Sequence, residues 1–294
     1  MTADGVRVVI CTYNSRTEVE TAVVSCREEG VGDAQITVVD NASRDGTPDL
    51  LRRRFPRVRL LEPGRNLGFG AATNLGARGT GGEALLVLNP DAELEPGALG
   101  AMLEALAADP GRGAVSPRVL RPDGRLDPAC RRSFPTPQVA LWRLGGLSRL
   151  RPGSPRFGAY NLTHLPPDRP LVVDSGTGAC LLVRRRLFDE VGGFDEGYFM
   201  YGEDLELCWQ LQARGALVWY QPTAVVRHRK GSSSEQVALP MLVHFHHSMW
   251  RFYRLHYLRG RAAWLAPLVA LGIGGRLAAL LLLNALRRRP RVSP

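Results

Sequence analysis

Residues 6–15 of the chain read VRVVICTYNS, and this stretch decides the fold class. Residues 6–11 form a short apolar run rich in β-branched side chains, which is typical of a buried strand. The run ends in a polar loop, Thr12-Tyr13-Asn14-Ser15, and residues 17–29 then space their apolar side chains as a helix does, up to Gly30. The stretch therefore predicts a strand, a polar loop and a helix.

The same unit recurs along the N-terminal part of the chain. The run QITVVD (35–40) ends in NASRDG (41–46), a third strand is predicted over 58–62, and ALLVL (84–88) ends in Asn89-Pro90-Asp91. Helices are predicted over 47–55, 70–78 and 97–108. Because strands that alternate with helices build a doubly wound sheet, we expect an α/β fold with a Rossmann-like, mostly parallel sheet. Such sheets bind ligands at the carboxyl ends of their strands, where these polar loops lie.

The second half of the chain is less regular. The stretch 110–170 is rich in Pro, Gly and Arg, and we expect an insertion made of loops and one short helix near 138–150. Strands are predicted over 171–173, 179–184 and 216–226, with a helix over 203–214. The β-α pattern therefore resumes after the insertion.

The basic residues are concentrated at one end of the chain. Residues 227–294 contain 12 of the 38 Lys and Arg residues but only one of the 28 acidic residues, so this segment accounts for the net charge of +10. It is also apolar and aromatic, which suits an anionic lipid surface better than a nucleic-acid groove. The sequence has no helix-turn-helix or zinc-finger pattern, and we expect no nucleic-acid partner.

Missing motifs exclude several protein classes. The sequence has no GxxxxGK[ST] phosphate loop, no GxGxxG after a strand and no GxSxG elbow, which argues against kinases, nicotinamide dehydrogenases and esterases. Its five cysteines are scattered without a CxxC pair, which predicts free thiols. The N-terminus shows no secretory signal pattern, so we expect a cytoplasmic protein.

Acidic residues end two predicted strands, at Asp40 and Asp91, and open a helix, at Glu203-Asp204. A carboxylate at the end of a buried strand can bind a hard divalent cation, which makes Asp91 a candidate ligand and Glu93 a weaker one. The dipole of a helix favours an ionised carboxylate at its N-terminus, so we expect the acidic pair to be ionised and to supply a base. Because neighbours on a helix point about 100° apart, we expect one of the two to face the substrate.

Structural roles remain open for these residues. Asn-Pro-Asp is also a turn sequence, and an acidic pair at a helix start is also a capping sequence. His228 ends a predicted strand near the acids, so it is either a structural side chain or a metal ligand. The remaining candidates, His244, His246 and His247, include an i, i+3 pair that could bind zinc. We interpret them as part of a basic, aromatic surface, because no Cys or acid joins them.

Taken together, these segments resemble the family 2 glycosyltransferases, and within them the bacterial rhamnosyltransferase-like group. The resemblance covers about residues 6–260. The segments that carry it are VVICTYNS (8–15), VVDNASRDGT (38–47), NLGFGAATN (66–74), LNPDAEL (88–94), SGTGACLLVRR (175–185), GGFDEGYFMYGEDLELCWQLQARG (192–215) and HRKGSS (228–233). Any one of these is weak, but their occurrence in this order is specific.

The resemblance implies a GT-A fold with a C-terminal helical, membrane-associating segment. Residues 1–235 would form the catalytic domain, with a nucleotide-sugar half at about 1–110 and an acceptor half at about 111–235. Residues 236–294 would form a basic, aromatic and apolar helical tail.

The resemblance also implies roles for individual residues. The residues matched to the donor pocket are Thr12, Tyr13, Asn14, Asp40, Arg65, Asn66, Asn89, Gly178 and Ala179. Asp40 would read the pyrimidine N3–H, and Gly178-Ala179 would border the sugar and the acceptor. The residues matched to chemical roles are Asp91 and His228 as metal ligands, Asp204 as the general base and Glu203 as its neighbour. Asn89 and Pro90 stand where acids are common in the family, which leaves the cation, Mg²⁺ or Mn²⁺, open.

The implied activity is an inverting, metal-dependent transfer. The best match is L-rhamnose from dTDP-L-rhamnose, moved onto a lipid-linked saccharide in cell-surface polysaccharide synthesis. UDP-galactofuranose, UDP-glucose and UDP-N-acetylhexosamine are alternative donors. A catalytically inactive, membrane-docked nucleotide-sugar binding protein is the alternative from another class.

The tail gives the chain a predicted membrane location. Residues 262–286 are apolar except for Arg276 and Asn284, and they are long enough to span a bilayer. Because a central arginine costs about 2.5–3.5 kcal/mol and Pro267 weakens a helix, we expect two short segments that lie in the interface. The preceding stretch, 241–261, is either an interfacial helix or a helix packed on the catalytic domain. We therefore expect peripheral association with the inner face of the cell membrane.

Overall fold

The apolar runs of the sequence form the strands of one sheet. The structure is a computed structural model, and it describes residues 1–229, 238–258 and 263–286. Its strands are β1 (Val6–Thr12), β2 (Ile36–Asp40), β3 (Arg59–Leu61), β4 (Ala84–Leu88), β5 (Ala92–Leu94), β6 (Arg112–Leu120), β7 (Leu171–Val173), β8 (Cys180–Arg184) and β9 (Leu217–His228). Its helices are α1 (Val19–Glu28), α2 (Thr47–Arg54), α3 (Phe69–Ala77), α4 (Ala98–Ala107), α5 (Pro137–Leu144), α6 (Leu147–Leu150), α7 (Arg185–Val191), α8 (Glu203–Ala213), α9 (Ala238–His256) and α10 (Ala266–Ala285).

The sheet is mixed, with the order β3-β2-β1-β4-β8-β6-β9. Strands β5 and β7 both pair with the other side of β9. The pairs β1–β2, β1–β4, β2–β3 and β6–β9 are parallel, and the other four pairs are antiparallel. The predicted α/β class is confirmed, and the expected parallel pairing is found in the first four strands of the order.

The core lies around β4, at the centre of the sheet. Each residue of β4 is buried with 0% relative exposure, which explains why this run is continuously apolar. Helix α3 covers β1 and β2 closely because its Gly76 has no side chain. A Cβ there would lie 2.6 Å from Cγ1 of Val9, a distance that real Cβ contacts do not reach. The polar loops that follow β1, β2 and β4 are thereby fixed at one edge of a rigid sheet.

Strand β6 lies in the segment for which the sequence predicts loops. Its Pro117 has no N–H to donate, and the ladder with β9 shifts register between Pro117 and Arg118. This interruption hides the strand pattern. The insertion also contains two short helices where one is predicted, because Gly145 and Gly146 separate α5 from α6 and Gly146 has φ of 81°.

Helix α9 packs on the catalytic part of the chain, which confirms the second of the two interpretations of 241–261 for the residues up to 258. Residues 259–261 lie outside the described residues. The Arg251 guanidinium lies 2.7 Å from the carboxylate of Asp195. Near the end of α9, Nε2 of His256 lies 2.6 Å from Oε2 of Glu206 on α8. These contacts bury both partners of the second pair and join the tail to the helix that carries the acidic pair.

The prediction that 262–286 forms two short segments is wrong, because α10 is one continuous helix. The location of this segment in the membrane interface stays a prediction. Pro267 lies in its first turn, where a missing N–H leaves no hydrogen bond unmade. Arg276 has a partner outside α10, since its Nη1 lies 2.8 Å from Nε2 of His246. An 18-residue window within Ala263–Ala285 has a mean hydropathy of 2.0, and among the described helices this segment alone is long and apolar enough to cross a membrane.

His246 is buried, so its interpretation as a surface residue is also wrong. Its Nδ1 lies 2.8 Å from the carbonyl oxygen of Leu242, so Nδ1 carries the proton and Nε2 accepts from Arg276. Burial lowers the pKa of His246, and Arg276 lowers it further, which keeps the imidazole neutral. His244 instead stacks on Phe199 with ring centroids 4.4 Å apart.

The five cysteines are free, as predicted, and all five are buried. Burial raises the pKa of Cys11 and of Cys26 to about 12. These thiols therefore stay protonated at physiological pH and act as small apolar side chains.

Candidate active site

The ends of β1 and β2 form the first part of the site. Thr12 and Asp40 are paired in the parallel ladder, and Oγ1 of Thr12 donates to Oδ1 of Asp40 over 3.0 Å. The N–H of Ser43 donates to the other oxygen of Asp40 over 2.9 Å. Each carboxylate oxygen keeps a second lone pair, with which it can accept a hydrogen bond from a pyrimidine N3–H. This role of Asp40 in recognising the base stays a prediction.

Asn14 connects the loop after β1 to the loop after β2. Its N–H donates to Oγ of Ser43 and its Oδ1 accepts from the N–H of Arg44, both over 2.8 Å. Asn14 has φ of 49°, a left-handed conformation that asparagine tolerates better than most residues. Tyr13 is half-buried and Arg65 is exposed, and neither side chain forms a hydrogen bond within the described part of the chain. Their donor-binding roles stay predictions.

Asn41 holds the loop that contains Asn66 in place. It is not among the site residues predicted from the sequence. Nδ2 of Asn41 donates to the carbonyl oxygen of Gly68 over 3.3 Å, and its Oδ1 accepts from the N–H of Leu67 over 3.1 Å. Asn66 accepts from the N–H of Gly68 over 2.9 Å. The position of Asn41 directly after β2 is its only sequence signal.

Asn89, Asp91 and His228 converge at the ends of β4 and β9. Ala92 pairs with His228 in the antiparallel β5–β9 ladder, which places Oδ1 of Asp91 3.0 Å from Nε2 of His228. Nδ2 of Asn89 lies 3.3 Å from the same nitrogen. Because amide N and O atoms are assigned from their hydrogen bonds, a 180° flip would place the oxygen of Asn89 at this point.

The Asp91–His228 pair fits a divalent cation. Two adjacent ligands of an octahedral ion, each bound at about 2.0–2.1 Å, are about 3 Å apart. This matches the 3.0 Å between Oδ1 of Asp91 and Nε2 of His228. Within residues 1–229, 238–258 and 263–286 no three His, Cys, Asp or Glu side chains form a metal-binding group, so Glu93 does not complete the set. Phosphate oxygens or water would have to supply the remaining ligands.

Asp204 is held by three donors at the start of α8. Its Oδ2 accepts from Nη2 of Arg132 over 2.7 Å and from the N–H of Gly178 over 3.0 Å. Its Oδ1 accepts from the N–H of Leu205 over 2.8 Å. Burial alone would lower the pKa of Arg132, but the Asp204 carboxylate raises it overall. The pair is therefore ionic, and its burial protects it from screening by water.

Glu203 differs from its neighbour. It is buried, and Oε2 has no hydrogen-bond partner among the residues that the structure describes. Burial, followed by the charge of Asp204, raises the pKa of Glu203 to about 8. The expectation that the helix N-terminus ionises both carboxyl groups at neutral pH is therefore wrong for Glu203, because desolvation outweighs the dipole. The acidic pair consists of one paired carboxylate and one protonated carboxyl group.

Replacing Glu203 by Gln should make stability less sensitive to alkaline pH. The folded pKa of about 8 lies above the ordinary value of 4.5, so the folded state binds this proton more tightly. The contribution of Glu203 to stability is therefore complete below the ordinary value and is lost as pH rises through the folded value. Gln imitates the neutral group, so Glu203→Gln should raise Tm by several degrees at about pH 9 and less at about pH 5. Circular dichroism melts at both pH values measure this, and an equal shift at both would contradict it.

Residues 175–179 connect the two clusters. The carbonyl oxygen of Ala179 accepts from the N–H of Asn89 over 2.9 Å, while Gly178 donates to Asp204. A Cβ at Gly178 would lie 3.1 Å from the ring of Phe69, so a side chain there would require the ring to move by a few tenths of an ångström. The structure thus places the predicted Gly178-Ala179 segment between the candidate cation site and the acidic pair.

Arg132 is the functional candidate that the sequence argument missed. Its backbone N–H donates to the carbonyl oxygen of Ser175 over 2.9 Å, and its Nη2 also donates to the carbonyl oxygen of Gly176. No local pattern distinguishes it from the other arginines of the insertion. The signal is its contact with Asp204, which lies 72 residues further along the chain.

Comparisons with known proteins agree with this geometry. The family model described as Glycosyl transferase family 2 matches residues 7–192, and the model described as Glycosyltransferase like family 2 matches residues 167–242. The N-acetylglucosaminyl-diphospho-decaprenol L-rhamnosyltransferase of Mycobacterium tuberculosis is 37% identical over 281 residues, which cover 90% of this chain and 88% of that protein. The low-salt glycan biosynthesis hexosyltransferase Agl10 of Haloferax volcanii is 29% identical over 70% of this chain and 61% of its own length.

A solved structure shows the fold. The mannosyltransferase PcManGT from Pyrobaculum calidifontis, in complex with GDP-Man and Mn²⁺, superposes with a TM-score of 0.57 at 20% identity, over 96% of this chain and 79% of that chain. The likeness confirms the GT-A fold implied by the sequence segments. With the family model covering more than half of the sequence and a relative aligned along nearly its whole length, the chain belongs to glycosyltransferase family 2.

Proposed function

We propose that the protein transfers L-rhamnose from dTDP-L-rhamnose onto a saccharide attached to a prenyl diphosphate, in the synthesis of a cell-surface polysaccharide. One observation carries this proposal: the Mycobacterium tuberculosis rhamnosyltransferase aligns with 90% of the chain at 37% identity. The site supports it, because a buried carboxylate held by Arg132 and a separate carboxylate–imidazole pair match the base and the cation site that a metal-dependent inverting transfer would use.

In this proposal Asp204 is the general base. It takes the proton from an acceptor hydroxyl while that oxygen attacks the anomeric carbon on the face opposite the diphosphate, so the configuration inverts in one displacement. Arg132 and the N–H of Gly178 hold the carboxylate in one orientation, with contacts of 2.7 and 3.0 Å. Because Glu203 is protonated at neutral pH, it adds no second negative charge next to the base, and its O–H is available as a hydrogen-bond donor.

The carboxylate of Asp91 and the imidazole of His228 would hold a divalent cation, with the amide of Asn89 beside them. A cation bound there supplies positive charge to the diphosphate as it leaves. Because imidazole nitrogen suits transition ions better than Mg²⁺, we propose that Mn²⁺ supports more activity than Mg²⁺.

We propose that the protein works at the cytoplasmic surface of the membrane, where it meets its lipid-linked acceptor. Two features support this location. The most apolar stretch of α10 is not buried within the structure, and the tail carries the basic charge of the chain. The arginines at 287–289 lie outside the described residues. Protease protection in vesicles distinguishes an α10 that spans the bilayer from one that lies on its surface.

A donor panel tests the proposal. The purified protein is incubated with dTDP-L-rhamnose, UDP-galactofuranose, UDP-glucose and UDP-N-acetylglucosamine, with Mn²⁺, Mg²⁺ or chelator, and with N-acetylglucosaminyl diphosphate carrying a short prenyl chain. We expect dTDP release and a disaccharide product from dTDP-L-rhamnose alone. Turnover of a UDP-sugar instead would show that this UDP-sugar, and not dTDP-L-rhamnose, is the donor. Binding of a nucleotide sugar without turnover of any donor would favour the inactive binding protein.

A further inference from the structure

Tyr201 has a backbone conformation that tyrosine rarely adopts. Its φ is 68°, in the left-handed region, where the Cβ of an ordinary residue crowds the carbonyl oxygen that follows it. The next residue, Gly202, has φ of 87° and is the N-cap of α8, so two successive left-handed residues turn the chain into the helix that carries Asp204. Strain of this kind persists where surrounding contacts fix it, and it is concentrated at functional sites.

Helix α9 contacts three successive residues of the segment 199–202, which we call the Tyr201 loop. The contacts are the stacking of His244 on Phe199 with ring centroids 4.4 Å apart, the hydrogen bond of 3.1 Å from Oγ of Ser248 to the carbonyl oxygen of Met200, and the edge-to-face packing of Phe245 on Tyr201 with ring centroids 5.7 Å apart. The guanidinium of Arg276 on α10 lies 5.8 Å from the ring centroid of Phe245. The two helices of the tail therefore brace the strained residue through Phe245.

The Tyr201 loop also contacts the start of α3, next to the loop that contains Asn66. The carbonyl oxygen of Phe199 accepts from the N–H of Phe69 over 2.9 Å. A Cβ at Gly68 would clash with the same oxygen, so the two segments approach as closely as their backbones allow. A change of conformation at Tyr201 is therefore not taken up at α3 and is passed toward α8.

Helix α8 is anchored from Glu206 onward. Oε2 of Glu206 lies 2.6 Å from Nε2 of His256 on α9, and Nε2 of Gln212 donates to a backbone carbonyl oxygen of the insertion over 2.6 Å. Because these contacts hold the body of the helix, relaxation of Tyr201 to an ordinary conformation would displace the residues before Glu206. Asp204 is one of them, so the geometry of the base depends on the conformation of Tyr201.

We propose that Tyr201 is a positioning residue for Asp204 and that α9 keeps it in its left-handed conformation. Phe245 then acts on the base through the backbone of Tyr201. This inference rests on the proposed function, because it takes Asp204 as the general base. It gives α9 a part in catalysis, in addition to the proposed membrane location of the tail.

Phe245→Ala removes the brace without altering the loop itself. We expect kcat to fall roughly tenfold or more, with a smaller change in KM for the donor, because misplacing a reacting group by about 1 Å costs up to about 10²-fold in rate. Ser248→Ala, which removes only the hydrogen bond to Met200, should lower kcat in the same direction and serves if Phe245→Ala does not fold. The matched control is Trp250→Ala on the same helix, whose ring stacks on Tyr253 at 5.7 Å.

A second substitution distinguishes positioning from packing. Asn adopts the left-handed conformation more readily than Tyr, so Tyr201→Asn lets the loop keep its turn when the brace is absent. The double variant of Phe245→Ala with Tyr201→Asn should regain about threefold or more in kcat over Phe245→Ala alone, a coupling that residues in contact commonly show. If Phe245 only packs, the second substitution removes more packing, and a double variant no more active than Phe245→Ala would overturn the inference.

Hydrogen exchange tests the inference without any sugar transfer. The N–H of Gly178 donates to Oδ2 of Asp204 over 3.0 Å, so its exchange rate reports whether the carboxylate is in place. Mass spectrometry of a peptide that contains Gly178 should show faster exchange in Phe245→Ala, slower exchange again in the double variant and no change in Trp250→Ala. This pattern in a protein that transfers no sugar would support the inference, and the proposed function alone would fail. Rhamnosyl transfer by the unaltered protein, with unchanged exchange and kcat in Phe245→Ala and Ser248→Ala, would overturn the inference alone.

Discussion

Replacing Asp204 by Asn should lower kcat by about 10²–10⁴-fold, the range by which a positioned general base accelerates proton transfer. Asn has nearly the same shape as Asp but does not take up the acceptor proton. Because Asp204 is proposed to act on the acceptor hydroxyl, we expect a much smaller change in KM for the donor than in kcat. Release of nucleoside diphosphate and formation of saccharide product, measured together, give both constants.

The buried ion pair complicates this substitution. Removing one partner of a buried pair costs about 3–5 kcal/mol, since the other charge is left uncompensated. Asp204→Asn leaves Arg132 in that state, so a loss of activity could reflect unfolding. The double variant Asp204→Asn with Arg132→Met removes both charges and should restore Tm without restoring kcat. Recovery of kcat in the double variant would rule out Asp204 as the base.

Glu203→Gln provides the matched comparison, because the two acidic residues are adjacent on α8. A protonated Glu203 does not act as the base at neutral pH, so we expect Glu203→Gln to retain most of the activity near pH 7. If Glu203→Gln loses as much kcat as we predict for Asp204→Asn, while Asp204→Asn stays active, the roles of the two carboxyl groups are reversed.

Replacing Asp91 by Ala, or His228 by Ala, should lower kcat/KM roughly 10²–10³-fold at fixed Mn²⁺, because a cation at a leaving group is worth several kcal/mol. Part of the loss should be recovered at higher Mn²⁺ concentration, since each variant keeps one ligand. Electron paramagnetic resonance of free Mn²⁺, with and without dTDP, measures cation binding independently of activity.

Glu93→Gln is the control for the cation site. Glu93 lies on β5 two residues after Asp91, but it belongs to no three-ligand group within the residues described. We expect kcat/KM of Glu93→Gln to stay within about twofold of the unaltered protein, as for surface substitutions generally. An equal loss in all three variants, or full activity in the presence of chelator, would contradict the assignment of Asp91 and His228.

Parts of this site followed directly from sequence pattern. Thr12 and Asp40 each end an apolar run, and parallel strands bring such ends together, so their 3.0 Å contact is the geometry that the pattern predicts. The positions of Asp91 and His228 at the ends of predicted strands made both candidate ligands, but their 3.0 Å contact could not be predicted, because the pairing that joins them runs through β5, a strand of three residues with no readable alternation.

Other features could not be predicted because they arise from tertiary contacts. Arg132 is one of many arginines in the insertion, and only the fold selects it as the partner of Asp204. Arg276, in the middle of α10, has its partner on another helix, where the neutral Nε2 of His246 lies 2.8 Å from its Nη1. The protonation of Glu203 depends on its burial, which opposes the local effect of the helix dipole. In each case a contact between residues far apart in the sequence, or the loss of hydration on burial, determined the outcome, and neither can be deduced from the neighbouring residues in the chain.

The most direct test of the account is the stereochemistry of the product formed from dTDP-L-rhamnose and prenyl-linked N-acetylglucosaminyl diphosphate. Nuclear magnetic resonance of the purified product reports the configuration of the new rhamnosyl linkage. We predict a rhamnosyl-N-acetylglucosamine product whose anomeric configuration is opposite to that of the donor. A product that retains the donor configuration, or the absence of any rhamnosylated product from a folded protein supplied with Mn²⁺, would contradict the account.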